Sequence, residues 1–363
     1  MVHTLPDLPD KGRGGASNAS GRFEPLKRMR VDDGWQTHEA DPGPKRRTRL
    51  TPETPRTIIA RNTSPDVPFD RSINPYRGCE HGCVYCFARP THAYYGLSAG
   101  LDFETEMFSK PDAAALLEKE IAHPKYRCRT LALGTNTDPY QPVERRHEIT
   151  RNVLRVLAAS KHPFTIVTKS DLVLRDLDII APMAEKGLAA VGISLTTKDG
   201  RLARTLEPRA PAPGRRLKAI SGLAEAGVPT VVMAAPVIPA LNDMELEGLL
   251  ESAAGAGAFA AGYILLRLPG EIKALFEEWL VNHYPDRAGR VLSLIRQTRG
   301  GDLYRSQWGE RMSGSGAYAD LIQKRFSLAC KRFQLVEQRT AEHALRTDLF
   351  RPPTRPGDQL RLF

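Results

Sequence analysis

From Ser72 onward the chain alternates two hydrophobic rhythms. Short apolar runs recur at Ser72–Tyr76, Thr130–Thr135, Phe164–Lys169, Ala189–Leu195, Thr230–Val237 and Gly262–Leu268. Between them lie amphipathic stretches with apolar residues at helical spacing: Pro111–His123, Arg145–Ser160, Leu172–Lys186, Arg215–Ala226 and Asp243–Gly255. Pro111 suits a first helical position, with Asp112 and Glu118 toward the early turns. Gly227 suits a helix stop after Ala226. The alternation predicts repeated β-α units, an α/β fold and a parallel sheet. After Leu268 the pattern is helical, at Glu271–His283, Gly289–Arg299 and Ala317–Leu335, which predicts a helical C-terminal cap bounding the substrate space. Four regions are expected: an arm over 1–65, a core over 66–270, a helical region over 271–345 and a tail over 346–363.

The arm is rich in Gly, Pro, Ser, Asp, Lys and Arg and has no sustained periodicity, so it reads as basic and largely disordered, with Trp35 able to anchor a short piece. The final stretch is proline-broken and reads as an exposed tail.

Composition narrows the class. The 363 residues are 41% hydrophobic, enough for a substantial core. The N-terminus has no apolar run of the signal-peptide kind. The longest apolar stretch, Pro229–Leu241, is too short and proline-broken to span a bilayer, so no membrane is expected and the cytoplasm is the simplest location. The net charge is +10 and the pI about 9.4, a balance that favours polyanions such as DNA. Part of this excess sits in Lys27–Arg30 and Pro44–Arg49.

The sharpest chemical signal is RGCEHGCVYCF, Arg77–Phe87, in which Cys79, Cys83 and Cys86 are spaced Cys-x3-Cys-x2-Cys. A structural zinc needs four ligands; His81 inside the loop and His92 beyond it are candidates for the fourth. A disulfide framework is disfavoured by the odd cysteine count and the length of the chain. A cubane of four irons held by three thiolates leaves one iron open. The loop, with Tyr85 before its third cysteine, resembles the signature of the radical S-adenosylmethionine (radical SAM) superfamily.

That resemblance implies a 4Fe-4S cluster whose open iron chelates the cofactor's amine and carboxylate. It also implies reductive cleavage to methionine and a 5′-deoxyadenosyl radical, with an electron from a donor such as flavodoxin or ferredoxin. The six β-α units match its partial (β/α)6 TIM-type barrel. In such barrels functional groups sit at the C-terminal strand ends. Near the cofactor the resemblance then places Tyr85; Thr135, Asn136, Thr137 and Asp138 after the second strand, where the family often has Gly-Gly-Glu; Lys169 after the third; Ser194 after the fourth, with the hydroxyls of the following Thr196 and Thr197; and Val237 and Ile238 after the fifth, against adenine. Arg267, at the end of the sixth, would face substrate.

GTNTDPYQPVE, Gly134–Glu144, and LEPRAPAPGR, Leu206–Arg215, resemble the branch that includes spore photoproduct lyase, over about Phe69–Leu268. This implies repair-type lyase chemistry on DNA. Such a lyase uses a cysteine as hydrogen donor, yet GTNTDPY has none and only Cys128 and Cys330 remain. Tyr94, Tyr95 and Tyr140 are candidate substitutes, and Tyr140 is the candidate catalytic residue among them. The last residues, Gln359–Phe363, resemble the peptide with which bacterial repair proteins dock on the sliding clamp. The alternatives are the same radical chemistry on RNA, a peptide or a small molecule, and a non-catalytic iron–sulfur or zinc protein that binds nucleic acid.

Overall fold

Each of the six apolar runs contributes a strand. The computed structural model describes residues 12–26, 47–337 and 345–353. Its strands are β1 (Arg49–Pro52), β2 (Ile59–Arg61), β3 (Arg71–Ile73), β4 (Tyr76–Arg77), β5 (Glu106–Ser109), β6 (Leu131–Leu133), β7 (Phe164–Thr168), β8 (Ala189–Ser194), β9 (Thr230–Val237), β10 (Ala260–Leu265) and β11 (Val336–Glu337). The first run splits into β3 and β4 at Asn74–Pro75, because a proline has no N–H to donate to a ladder.

The main sheet has the order β11-β10-β9-β8-β7-β6-β3-β2. Every pairing from β3 to β11 is parallel, and β2 lies antiparallel on the β3 edge. Each β-α step moves one strand across, so the C-terminal ends of β3, β6, β7, β8, β9 and β10 share one side. β2 and β11 do not pair with each other, and the sheet is open among the described residues.

The helices follow the amphipathic stretches, with local differences. Pro213 opens the helix Pro213–Glu225, which stops at Ala226 before Gly227 in the left-handed region, φ 71°. Pro111 lies outside the helix Ala113–Ile121, for which Asp112 is the flanking residue. The stretch Arg145–Ser160 is broken into Glu144–His147 and Ile149–Ala159, with Glu148 left-handed between them. The cause is Glu144, whose buried carboxylate accepts from the amides of Thr150 and Arg151 and so caps the second helix.

The arm departs from expectation. β1 pairs parallel with β5, and β5 antiparallel with β4, in a small second sheet. Residues 12–26 lie against the loop carrying Ser98–Glu104, tied to it by Asn18 on Asp102 (2.7 Å) and Ser98 on the Ala19 carbonyl (2.6 Å). Disorder is therefore not the state of the described parts of 1–65: distant partners satisfy their backbone groups. Trp35, Lys27–Arg30, Pro44–Arg46 of the second basic run and Gln359–Phe363 lie outside the described residues.

One apolar core fills the space between sheet and surrounding helices, with Leu133, Ile166, Val191, Ile193 and Val232 from the strands. A second joins the cysteine loop to the C-terminal helices: Val84 and Tyr85 pack with Leu206, Ile238, Leu268, Phe276 and Trp279. The indole of Trp279 donates to the Thr205 carbonyl at 2.8 Å. The helix Ile272–His283 thus supports the loop from beneath. No described helix is long and apolar enough to cross a membrane.

Candidate active site at the three-cysteine loop

The loop leaves β4 beyond the C-terminal end of β3. It turns through Gly78 and Gly82, both left-handed, at φ 74° and 68°. At Gly82 the turn is also crowded, since an added Cβ would sit 2.7 Å from Glu104 Oε2. Cys79 and Cys83 are buried and Cys86 half-buried.

A buried arginine holds the loop's shape. Arg89 Nε donates to the Cys83 carbonyl at 2.8 Å. Its Nη1 donates to Ala99 O (3.1 Å) and Gly100 O (2.8 Å), and Nη2 to Gly82 O (3.0 Å) and the Glu104 carboxylate. These contacts use all five guanidinium N–H groups. Glu104 also accepts from the amides of Gly14 (3.1 Å) and Gly15 (2.9 Å). The N-terminal segment thereby completes the wall behind the cysteines. It comes so close that a Cβ on Gly14 would fall 1.8 Å from Gly82 O.

A second buried pair sits beside Tyr85. Glu207 accepts from the Tyr85 hydroxyl, from Thr196 Oγ1 (2.7 Å) and from Arg216. Arg216 also donates to Pro211 O (2.8 Å) and Ser194 O (3.1 Å). The Lys169 ammonium lies 5.8 Å from the centre of the Tyr85 ring. Burial pushes the Glu207 carboxyl up, but Arg216, Lys169 and the hydrogen bonds from Tyr85 and Arg216 outweigh it and hold it at about 2. Burial lowers the Lys169 ammonium, while Cys83 and Glu207 raise it, with a net upward shift. Tyr85 stays protonated: burial first, then Cys83 and Glu207, push its pKa far up.

Gly134–Tyr140 forms the next wall. Asn74 organises it: its Oδ1 accepts from the Asn136 amide (3.0 Å) and its Nδ2 donates to Thr135 Oγ1 (3.1 Å). Thr137 is buried with its hydroxyl on the Tyr76 carbonyl at 2.9 Å. Asp138 accepts from Thr168 Oγ1 (2.6 Å), the Lys169 amide (2.8 Å) and the Tyr140 amide (2.9 Å), and lies 3.3 Å from His81 Nδ1. Burial raises this carboxyl, but His81 and these donors more than offset it and hold it at about 2. With both oxygens engaged, Asp138 joins the cysteine loop to the end of β7.

Ser194 is buried with its hydroxyl on Ala235 O at 3.3 Å. Val237 and Ile238 are buried at the end of β9. Asn242 fixes that turn, accepting from the Ile238 amide (2.6 Å) and donating to Thr196 O (2.8 Å) and Pro236 O (2.9 Å). Arg267 stands over the exposed ring of Phe87, its guanidinium 5.0 Å from the ring centre.

Tyr140 is corrected outright. It is wholly buried, and its hydroxyl donates to Asp176 at 3.0 Å. Arg151 and Arg175 hold the same carboxylate, so the tyrosine belongs to a closed ionic network and not to the site. Both candidate histidines are engaged: His81 faces Asp138, while His92 pairs Nε2 with Glu106 O at 2.9 Å and packs edge-on to Phe103. Sequence reasoning missed Arg89, Glu104, Asn74 and Arg216. Only long-range contacts distinguish them from ordinary surface polar residues; the one hint was that Arg216 adjoins LEPRAPAPGR.

The donor set is three neighbouring thiols. Burial, Asp138 and the other two cysteines raise Cys79, and burial pushes Cys83 up to about 12 despite Lys169. As thiolates they need a compensating positive group, which a bound metal supplies. No group of three or more His, Cys, Asp or Glu among the described residues is arranged around a single ion. A cubane gives each thiolate its own iron and does not need the three to converge on one point.

Comparison with known proteins agrees with this geometry. A model of the radical SAM superfamily matches residues 73–253. An uncharacterized protein of Mycobacterium tuberculosis is 41% identical over 233 residues, covering 64% of this chain and 68% of the relative. Spore photoproduct lyase complexed with dinucleoside spore photoproduct is similar in fold, with TM-score 0.58 at 17% identity, covering 80% of this chain and 81% of the other. A variant of that lyase with bound AdoMet and the same dinucleoside gives TM-score 0.57 over the same shares, at 17% identity. With three cysteines on the loop after the first parallel strand and a matching family model across the β-α units, the chain belongs to the radical SAM superfamily.

Proposed function

We propose that this protein carries a 4Fe-4S cluster on Cys79, Cys83 and Cys86 and uses it with S-adenosylmethionine in radical chemistry on DNA, of the repair-lyase type. The observation that carries the reading is the three-thiol loop beyond the C-terminal end of β3, with Cys79 and Cys83 buried and with Asp138 and Lys169 from neighbouring strand ends beside His81 and Tyr85 of the loop. Cys79, Cys83 and Cys86 would hold the cluster, which would supply the electron for reductive cleavage of the cofactor. Lys169 would pair with the cofactor carboxylate. Thr135, Asn136 and Thr137 bound its amino group through a loop that Asn74 and Asp138 hold in shape. Ser194 and Thr196, whose hydroxyls the Ala235 carbonyl and Glu207 hold, would border the ribose, and Val237 and Ile238 would offer apolar contact to the adenine. Tyr85, locked to Glu207, keeps its proton and serves as a wall. In this reading the open sheet is the partial barrel of the superfamily, and the electron comes from a flavodoxin or ferredoxin.

DNA as substrate is supported by the net charge of +10 and by a neighbour of similar fold whose ligand is a dinucleoside photoproduct. Cys128 precedes β6, at the end opposite the site, and Cys330 is buried in an outer helix. With Tyr140 also withdrawn, a lyase step here draws its returning hydrogen from elsewhere, and Tyr94 and Tyr95 are the exposed tyrosines near the loop.

The test is anaerobic reconstitution, reduction and assay of 5′-deoxyadenosine, comparing the parent with Cys83→Ala, with and without ultraviolet-damaged DNA. The reading expects product that depends on Cys83 and rises with damaged DNA. No product from a chain with a full complement of iron would overturn the radical chemistry; product indifferent to DNA would overturn the substrate.

A further inference from the structure

Among the described residues five aromatic side chains are exposed: Phe23, Phe87, Tyr94, Tyr95 and Trp308. They are not scattered. Phe87 follows Cys86, and Tyr94 and Tyr95 end the short helix Arg89–Tyr95 that leaves the cysteine loop. Phe23 packs on Tyr94 with ring centres 5.3 Å apart. Trp308 lies on the turn leading to Met312, whose sulfur is 3.5 Å from Arg267 Nη1, and Arg267 covers Phe87. Four of the five exposed aromatics thus stand on or beside the cysteine loop and its helix, while the remaining exposed large apolar residues are aliphatic.

Four of these rings carry a guanidinium. Arg22 stands 5.4 Å from the centre of Phe23 and 5.8 Å from that of Tyr94, Arg77 is 5.2 Å from Tyr95, and Arg267 is 5.0 Å from Phe87. Glu271 and Glu53 hold Arg22 and Arg77 in place at 3.2 and 2.7 Å. Arg267 forms no ion pair among the described residues. Exposed rings scattered singly are ordinary, but rings gathered into one patch mark an interaction site. Rings with cations beside them match a ligand that alternates flat π faces with negative charge, which is a nucleic-acid strand. A duplex hides its base faces; an unpaired strand presents them.

We infer that this aromatic–arginine rim binds unpaired bases of single-stranded or locally opened DNA and lays the strand across the mouth of the cysteine loop. The inference rests on the DNA reading above and deepens it. Phe87 is the central contact, because it adjoins the cysteines and carries the arginine without a carboxylate. Tyr94, Tyr95 and Phe23 extend the track to one side, and Trp308 flanks the other element that touches Arg267. An acidic protein partner is the competing occupant; it needs neither unpaired bases nor a ring beside each arginine.

The test is fluorescence anisotropy of the full-length protein with a labelled single strand of about 12 nucleotides and with the same sequence as duplex, at two salt concentrations. The single strand is expected to bind more tightly than the duplex. Phe87→Ala and Tyr94→Ala should each weaken it about 10-fold with the salt slope unchanged, and Phe87→Tyr should restore binding. Arg267→Gln should weaken binding and flatten the slope by about one counterion. If the parent binds the single strand and the combined Phe87→Ala, Tyr94→Ala, Tyr95→Ala variant binds it equally well, the rim is overturned and the DNA reading stands. Preference for the duplex would also overturn it. If the parent binds neither form, the DNA reading fails and the rim with it.

Discussion

Of the arginine–glutamate pairs at the cysteine loop two are fully buried, Arg89–Glu104 and Arg216–Glu207, both to within a percent of full enclosure. Their surroundings differ. Arg89 is completed by carbonyls of Gly82, Cys83, Ala99 and Gly100, and Glu104 by amides of Gly14 and Gly15. Every partner outside the pair is backbone. Arg216 also takes backbone carbonyls, but Glu207 is completed by the side chains of Tyr85 and Thr196, with Lys169 nearby. A charge satisfied by backbone fixes the chain's path. A charge satisfied by side chains holds those side chains in place. The first pair therefore shapes the cysteine loop, and the second fixes Tyr85 and Thr196 beside it.

The largest expected effect breaks the first pair. Arg89→Ala leaves Glu104 charged and four carbonyls without their donor in a dry interior. We expect a loss of about 3–5 kcal/mol in chemical denaturation, with reconstituted iron falling well below the parent's. Parent-like iron binding in the folded variant would show that Arg89 does not shape the loop.

Glu207→Gln addresses the second pair and carries a pH signature. The Glu207 carboxyl lies at about 2 in the folded chain against its usual 4.5, so the native state favours the ionised form. That contribution is complete above about 4.5 and is lost as pH falls toward 2. The parent's stability should decline through this window, and Glu207→Gln, less stable at neutral pH, should decline less steeply. Asp138, also held at about 2, contributes a slope in the same direction that the variant retains. Equal slopes in urea titrations of the two chains would remove Glu207 from the account.

Gly14→Ala sharpens the comparison without altering any charge. Its Cβ cannot share space with Gly82 O, so the N-terminal segment must lift and surrender two hydrogen bonds to Glu104. The expected cost is about 1–3 kcal/mol, with faster hydrogen exchange at Gly14 and Gly15 and faster alkylation of Cys83 relative to Cys128 in the metal-free chain. Unchanged alkylation would mean the segment does not shield the loop. The smallest effect belongs to Tyr85→Phe, which removes one of the donors to Glu207. About 1 kcal/mol of stability should go, while iron content is retained. A loss as large as that from Arg89→Ala would erase the distinction between the two pairs.

Much of the framework was legible beforehand. All six apolar runs became strands, and the amphipathic stretches became helices, because period and burial are local properties of a parallel α/β chain. The cysteine loop was legible because three thiols at short spacing have few uses. What failed had a common cause. Tyr140 looked like a site residue from its place after the second strand, yet its side chain turns inward to Asp176. The described parts of the arm read as disordered because their order comes from residues far along the chain: Gly14 and Glu104 are 90 positions apart.

The sequence by itself determined the β-α rhythm, the three-thiol loop and the strand ends around it. Only the tertiary structure decided which charges are buried, which partners the strand-end hydroxyls take and where the exposed rings gather. Pattern and spacing act within a few residues. The pairing of Arg89 with Glu104, or the seating of Gly14 against Gly82, depends on segments that meet only after the sheet has formed.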